Sequence, residues 1–138
     1  CVCEQWTAEE ASMLVICDKE MFASNVGLAV LGALQSGGVQ FFHEYTDNTV
    51  ARGVMRSLAS PSPTLSFLAA QRAALVRSKG WRFEAHRISS KNNLWADMGS
   101  RGRLEEVAAQ AASFGLSLRR VAVPPSIRST AALLSRVA

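Results

Sequence analysis

The sequence predicts an α/β fold, and three observations carry that expectation. Two short runs, Val39 to Thr46 and Trp81 to Ile88, alternate side chains with the period of two expected of strands. The stretch between them carries helix signals. Two strands joined by a helical crossover pair in parallel, with a right-handed connection. In open α/β sheets, ligands sit beyond the carboxyl ends of the strands. Asp47 lies at one such end, and Asp97 follows the other by a short loop.

The elements follow in chain order. Thr7 is placed to cap a short turn, with Glu10 at the reciprocal capping position. Ile16 to Leu34 reads as a helix. Ile16, Phe22, Val26, Val30 and Leu34 form its apolar stripe, and Ala23, Gly27, Ala29, Gly32 and Ala33 permit close packing. Gly37-Gly38 stops it. In the strand Val39 to Thr46, both faces carry bulk, as in an interior strand. Asp47 or Asn48 can cap a helix from Thr49 to Leu58. Ser62 as cap, with Pro63 in the first turn, opens a helix over Thr64 to Ser78 that Gly80 closes. After the second strand come a loop at Ser89 to Asn92, a short helix at Asn93 to Ser100, and an amphipathic helix at Leu104 to Phe114. Ser117 to Val123 reads as a short strand ended by Pro124-Pro125, and Ser126 to Ala138 as a tail with one or two helical turns.

The 138 residues are 49% hydrophobic and 19% charged, which excludes a disordered polymer and fits one domain. No membrane-spanning run is expected, because Lys19 and Glu20 interrupt the most apolar region. Three cysteines, at positions 1, 3 and 17, lack a disulfide framework and the usual zinc spacing. Reduced thiols in an intracellular protein, cytoplasmic or nuclear, are the expectation. The chain opens at Cys1 without Met or a leader, as a piece of a longer product would, or a processed one. Charge is divided unevenly: one base and seven acids precede Asn48, whereas fourteen bases and four acids follow. That asymmetry points toward nucleic acid, with solvated Arg-rich helix faces as the plain alternative.

Glu20, Asp47 and Asp97 are weighed together. A parallel layout can bring all three to one edge of the sheet. Clustered carboxylates need a cation, and oxygen-only ligands suit Mg²⁺ or Mn²⁺. Two such ions flanking a phosphodiester activate water and stabilise the leaving oxygen. Singly, each acid has a plainer role. Asp47 serves as a cap, Asp97 complements a helix dipole, and Glu20 is a solvated helix residue. Asp18 is expected at the surface.

Thr46-Asp47-Asn48-Thr49-Val50-Ala51, followed by Asn93-Leu94-Trp95-Ala96-Asp97-Met98-Gly99-Ser100-Arg101, resembles the ribonuclease H domains of retroelement reverse transcriptases. Ile16-Cys17-Asp18-Lys19-Glu20-Met21-Phe22-Ala23 is similar to their glutamate-bearing segment, and Trp6-Thr7-Ala8-Glu9-Glu10 to what precedes it. The style is nearest to the tyrosine-recombinase or a related retroelement type. The resemblance covers Trp6 to Arg101.

The resemblance implies a ribonuclease H-like mixed sheet with flanking helices, lacking the first strands. Residues 1–123 would be the partial domain and 124–138 a C-terminal tail. Glu20, Asp47 and Asp97 would be catalytic metal ligands for Mg²⁺ or Mn²⁺. The reaction would be endonucleolytic hydrolysis of RNA in an RNA–DNA hybrid, with a reverse transcriptase domain upstream in the same polyprotein. Asn48, Arg52, Arg56, Arg72, Lys91, Asn93 and Arg101 would serve nucleic-acid binding. Asn93 would also order the loop before Asp97. His43 and His86 are expected in structural roles. Nothing before Trp6 matches the family's first catalytic Asp, which implies weak or no activity for this chain by itself. Two rivals stand beside this reading. One is a catalytically dead nucleic-acid-binding or scaffold module of such a polyprotein, and the other is an unrelated small α/β domain.

Overall fold

The computed structural model describes residues 5–35, 38, 40–125 and 127. Among these the architecture is mixed α/β, with six helices and a two-stranded parallel sheet. The elements run α1 (Ala8–Met13), α2 (Ile16–Leu34), β1 (Phe41–Thr46), α3 (Thr49–Ser57), α4 (Pro63–Lys79), β2 (Arg82–Arg87), α5 (Leu94–Ser100) and α6 (Leu104–Ser113). Phe41 pairs with Arg82 and Thr46 with Arg87, so α3 and α4 form the crossover that a parallel pair requires.

Local chemistry sets the helix ends. Thr7 caps α1: its hydroxyl accepts from the Glu10 amide at 3.2 Å, and its own amide donates to Glu10 Oε2 at 2.8 Å. Asn48, rather than Asp47, caps α3, accepting from the Val50 and Ala51 amides at 2.9 and 3.0 Å. Ser62 caps α4, and Gly80 ends it at φ 65°, in the left-handed region that suits glycine. Asp18 is buried, against the expectation of a surface position. It lies in the first turn of α2 and reaches back to the Val15 amide, satisfying a donor that the helix start leaves open.

The core gathers Met21, Phe22, Val26 and Val30 of α2 with Ala51, Val54 and Met55 of α3, Leu65, Leu68 and Ala69 of α4, and Ala85 of β2. Ile16 and Leu34, expected on the stripe of α2, are its first and last residues and are exposed, while its buried positions run from Asp18 to Gly32. Inside the interface, Asn25 Nδ2 donates to the Leu68 carbonyl at 2.9 Å and to Gln71 Oε1 at 3.1 Å, locking α2 to α4. At Gly32 a Cβ would stand 3.3 Å from Trp81 Cη2, so this glycine is where close approach is used.

Arg72 crosses all of these layers. Leu65, Leu68, Ala69 and Arg72 share the inner face of α4 at helical spacing. The Arg72 side chain is 1% exposed and ion-pairs with Glu44 of β1. Its other terminal nitrogen donates to Ser24 Oγ of α2 at 2.7 Å, and its guanidinium lies 4.8 Å from the centre of the Phe83 ring of β2. Ser24 donates to the same Glu44 carboxylate. Arg72 is therefore a core residue and is not placed to meet a phosphate, which corrects the nucleic-acid role expected of it.

Among the described residues, the sheet is covered on one face. Phe42, Glu44 and Thr46 point toward the helices. Phe41 and Tyr45 stand more than half exposed on the other face, at 56% and 58%, so the interior-strand expectation holds for one face alone. Ser117 to Val123, expected as a short strand, is not one; Val121 and Val123 instead pack against the core. Of the tail from Ser126, only Ile127 lies within the described residues, and Cys1 and Cys3 lie outside them. No helix among the described residues is long and apolar enough to cross a membrane.

Candidate functional site

The carboxyl end of β1 brings together Glu20, Thr46, Asp47 and Asn48. Glu20 is in the second turn of α2, half-buried, and its Oε2 accepts from the Thr46 hydroxyl at 3.2 Å. Thr46 Oγ1 in turn accepts from the Asn48 amide at 3.1 Å, which fixes the turn out of the strand. The same Asn48 side chain caps α3 and hydrogen-bonds Glu20.

Burial pushes the Glu20 carboxyl above its ordinary value, and the Asp47 charge pushes it further. The hydrogen bonds from Thr46 and Asn48 work in the opposite direction and are outweighed. The Asp47 charge thus acts on Glu20, and among the described residues neither carboxylate forms an ion pair with a base.

Asp97 takes a different partner. Both of its carboxylate oxygens accept from Arg101 Nε, each at 3.0 Å, one turn along α5. Helix α5 packs chiefly on α6, not on α2. Among the described residues, Glu20, Asp47 and Asp97 do not form a group whose ligand atoms converge on one ion. The structure joins the first two and leaves the third in an exposed helical ion pair.

The expected nucleic-acid residues divide by environment. Asn48, Arg52 and Arg56 follow one another at four-residue steps along α3 from the acidic end of β1. Arg56 is exposed; Arg52 is half-buried, with a buried Nε that has no hydrogen-bond partner among the described residues. Lys91 is exposed in the turn after β2. Asn93 orders that turn through its backbone: its amide donates to the Ser89 carbonyl at 3.1 Å, and its carbonyl accepts from the Asp97 amide at 3.0 Å. Arg101 is exposed but engaged by Asp97.

A second constellation lies on the open face of the sheet. His43, Glu84 and His86 place three potential ligand atoms within 4.8 Å of one another. The signal in the sequence is the register. His43 of β1 stands opposite Glu84 of β2, and His86 follows Glu84 by the two residues that return to the same face. Neither strand reveals it without the other.

Compared with protein-family models, with curated proteins and with solved structures, the chain matches none.

Proposed function

We propose that this chain is part of a retroelement ribonuclease H-type domain that engages an RNA–DNA hybrid and hydrolyses its RNA strand. The observation that carries this reading is the pairing of Glu20 with Asp47 at the carboxyl end of a parallel strand, where α/β sheets bind ligands. The donor set fits a hard cation. Mg²⁺ binds through one or two carboxylates and keeps several waters; burial first, and then the Asp47 charge, raise the Glu20 carboxyl, and a bound cation would offset that second contribution. Glu20 and Asp47 would hold Mg²⁺ or Mn²⁺, which supplies charge neutralisation at a scissile phosphate. Thr46 and Asn48 orient the Glu20 carboxylate, and Arg56 and Lys91 offer charge to the backbone of the hybrid. Recognition would follow duplex shape and 2′-hydroxyls, not sequence. An upstream reverse transcriptase domain, in the cytoplasm or nucleus, belongs to the same proposal.

The Asp97–Arg101 pair favours a second reading, in which the domain binds nucleic acid without cutting it. One experiment separates the two. The full chain is mixed with a hybrid carrying end-labelled RNA, in Mg²⁺ and in Mn²⁺. Slow metal-dependent cleavage that Asp47→Asn abolishes supports the nuclease. Salt-sensitive binding with no cleavage supports the binding module. Failure to bind removes both.

A further inference from the structure

The chain has two histidines, and the fold brings both together with a carboxylate. His43 Nδ1 lies 2.9 Å from His86 Nε2. Glu84 Oε2 stands 3.7 Å from the first and 3.6 Å from the second. Tetrahedral zinc with bonds near 2.0–2.1 Å separates its ligand atoms by about 3.4 Å. The three atoms are therefore already arranged close to one face of such a tetrahedron.

The rings are held in place. Phe41 meets His43 edge-on at 4.9 Å, and Tyr45 stacks on His86 at 5.1 Å with an interplanar angle of 26°. All five side chains project from paired strands, so little freedom is lost on binding an ion. As a plain hydrogen-bonded pair, the histidines satisfy one donor and one acceptor, and Glu84 stands beyond hydrogen-bond reach of both.

We infer that His43, Glu84 and His86 form a binding site for a divalent transition ion, Zn²⁺ foremost, with the fourth position open to solvent. Two imidazoles and one carboxylate suit Zn²⁺, Ni²⁺ or Cu²⁺ and disfavour Mg²⁺. The site is independent of the nuclease proposal. It uses His43 on the open face of the sheet, whereas Glu44 and Thr46 point to the helix-covered face that carries Glu20.

The test titrates the full chain, its cysteine thiols alkylated beforehand, with Co²⁺ as a spectroscopic stand-in and then with Zn²⁺ alone. Expected are about one ion per chain, the intense visible absorption of tetrahedral Co²⁺, and Zn²⁺-induced shifts of the His43 Nδ1 and His86 Nε2 resonances. His43→Gln and His86→Gln each weaken binding by roughly 10-fold or more. Both positions are solvent-accessible, and circular dichroism checks that the fold persists. Binding that survives the double variant, or imidazole resonances that do not move at saturating Zn²⁺, overturns the site.

Discussion

The guanidinium of Arg72, on the third turn of α4, ion-pairs with Glu44 in the middle of β1, with only 1% of the arginine side chain exposed. Ser24 completes the triangle from α2. Breaking a buried pair by removing one partner leaves the other charge uncompensated, at about 3–5 kcal/mol. Glu44 is 21% exposed, so Arg72→Met is expected near the lower end of that range. Urea denaturation should show part of the loss recovered in the Arg72→Met/Glu44→Gln double variant. If the double variant is as unstable as the sum of the singles, the pair is not coupled.

Asn48 does two jobs, and Asn48→Ala should disturb both. Loss of the cap on α3 is expected to cost about 1 kcal/mol in chemical denaturation. Loss of its hydrogen bond to Glu20 should move the Glu20 titration further upward, followed by carboxyl carbon NMR. A cap effect without a shift at Glu20 would mean that only the helix depends on Asn48.

The raised Glu20 carboxyl has a definite sign in stability. A carboxyl whose folded value lies above its unfolded one binds more protons when folded, so its contribution falls as pH rises. The effect is absent at pH below the unfolded value, near 4.5, and fully developed once pH has passed the folded value. Glu20→Gln should therefore raise Tm at neutral pH relative to the parent, with the difference closing in acid. Asp47→Asn removes the neighbouring charge and should bring the Glu20 titration downward.

Hybrid binding should depend on salt through exposed bases. For every phosphate that a basic side chain no longer neutralises, the slope of log K against log salt becomes shallower by roughly 0.7–0.9. Arg56→Gln and Lys91→Gln are expected to lower the slope by about that amount each if both touch phosphates. A slope unchanged in the double variant would assign the interface to another face.

Two glycines of α2 should respond differently to alanine. Gly27 has open space where a Cβ would stand, so Gly27→Ala gains helix propensity, up to about 1 kcal/mol. At Gly32 the new methyl would press at 3.3 Å on the Trp81 ring and the Lys79 stem, while Lys79 Nζ donates to the Gly32 carbonyl at 3.0 Å. Gly32→Ala should be neutral or destabilising, and thermal melts of the two variants make the comparison.

Much of the backbone is legible in the sequence because punctuation is local. Thr7, Asn48, Ser62-Pro63 and Gly80 act on their own neighbours, and each stands where its chemistry predicts. What escapes depends on partners distant in the chain. Arg72 reads as a surface base until its place on the stripe with Leu65, Leu68 and Ala69 is counted, and Glu44 becomes its partner only through the sheet. Asp97 and Arg101 are four residues apart, so their ion pair is written in the sequence, yet a motif that assigns both to a site hides it. Glu20 feels the Asp47 charge because the end of a strand and the start of a helix converge, as the Thr46–Glu20 hydrogen bond shows. The histidine pair needs the register of β1 and β2, which no single segment encodes.

The parallel pairing of β1 with β2 also sets an order of events as the chain folds. Both crossover helices, α3 and α4, lie between the strands, so the ladder must close a long loop before its first hydrogen bond forms. Helices form within about a microsecond, whereas such non-local contacts are slow to accumulate. The sheet is thus a late-forming element. The imidazole cluster, which rests on that register, is expected to form as late as the ladder itself.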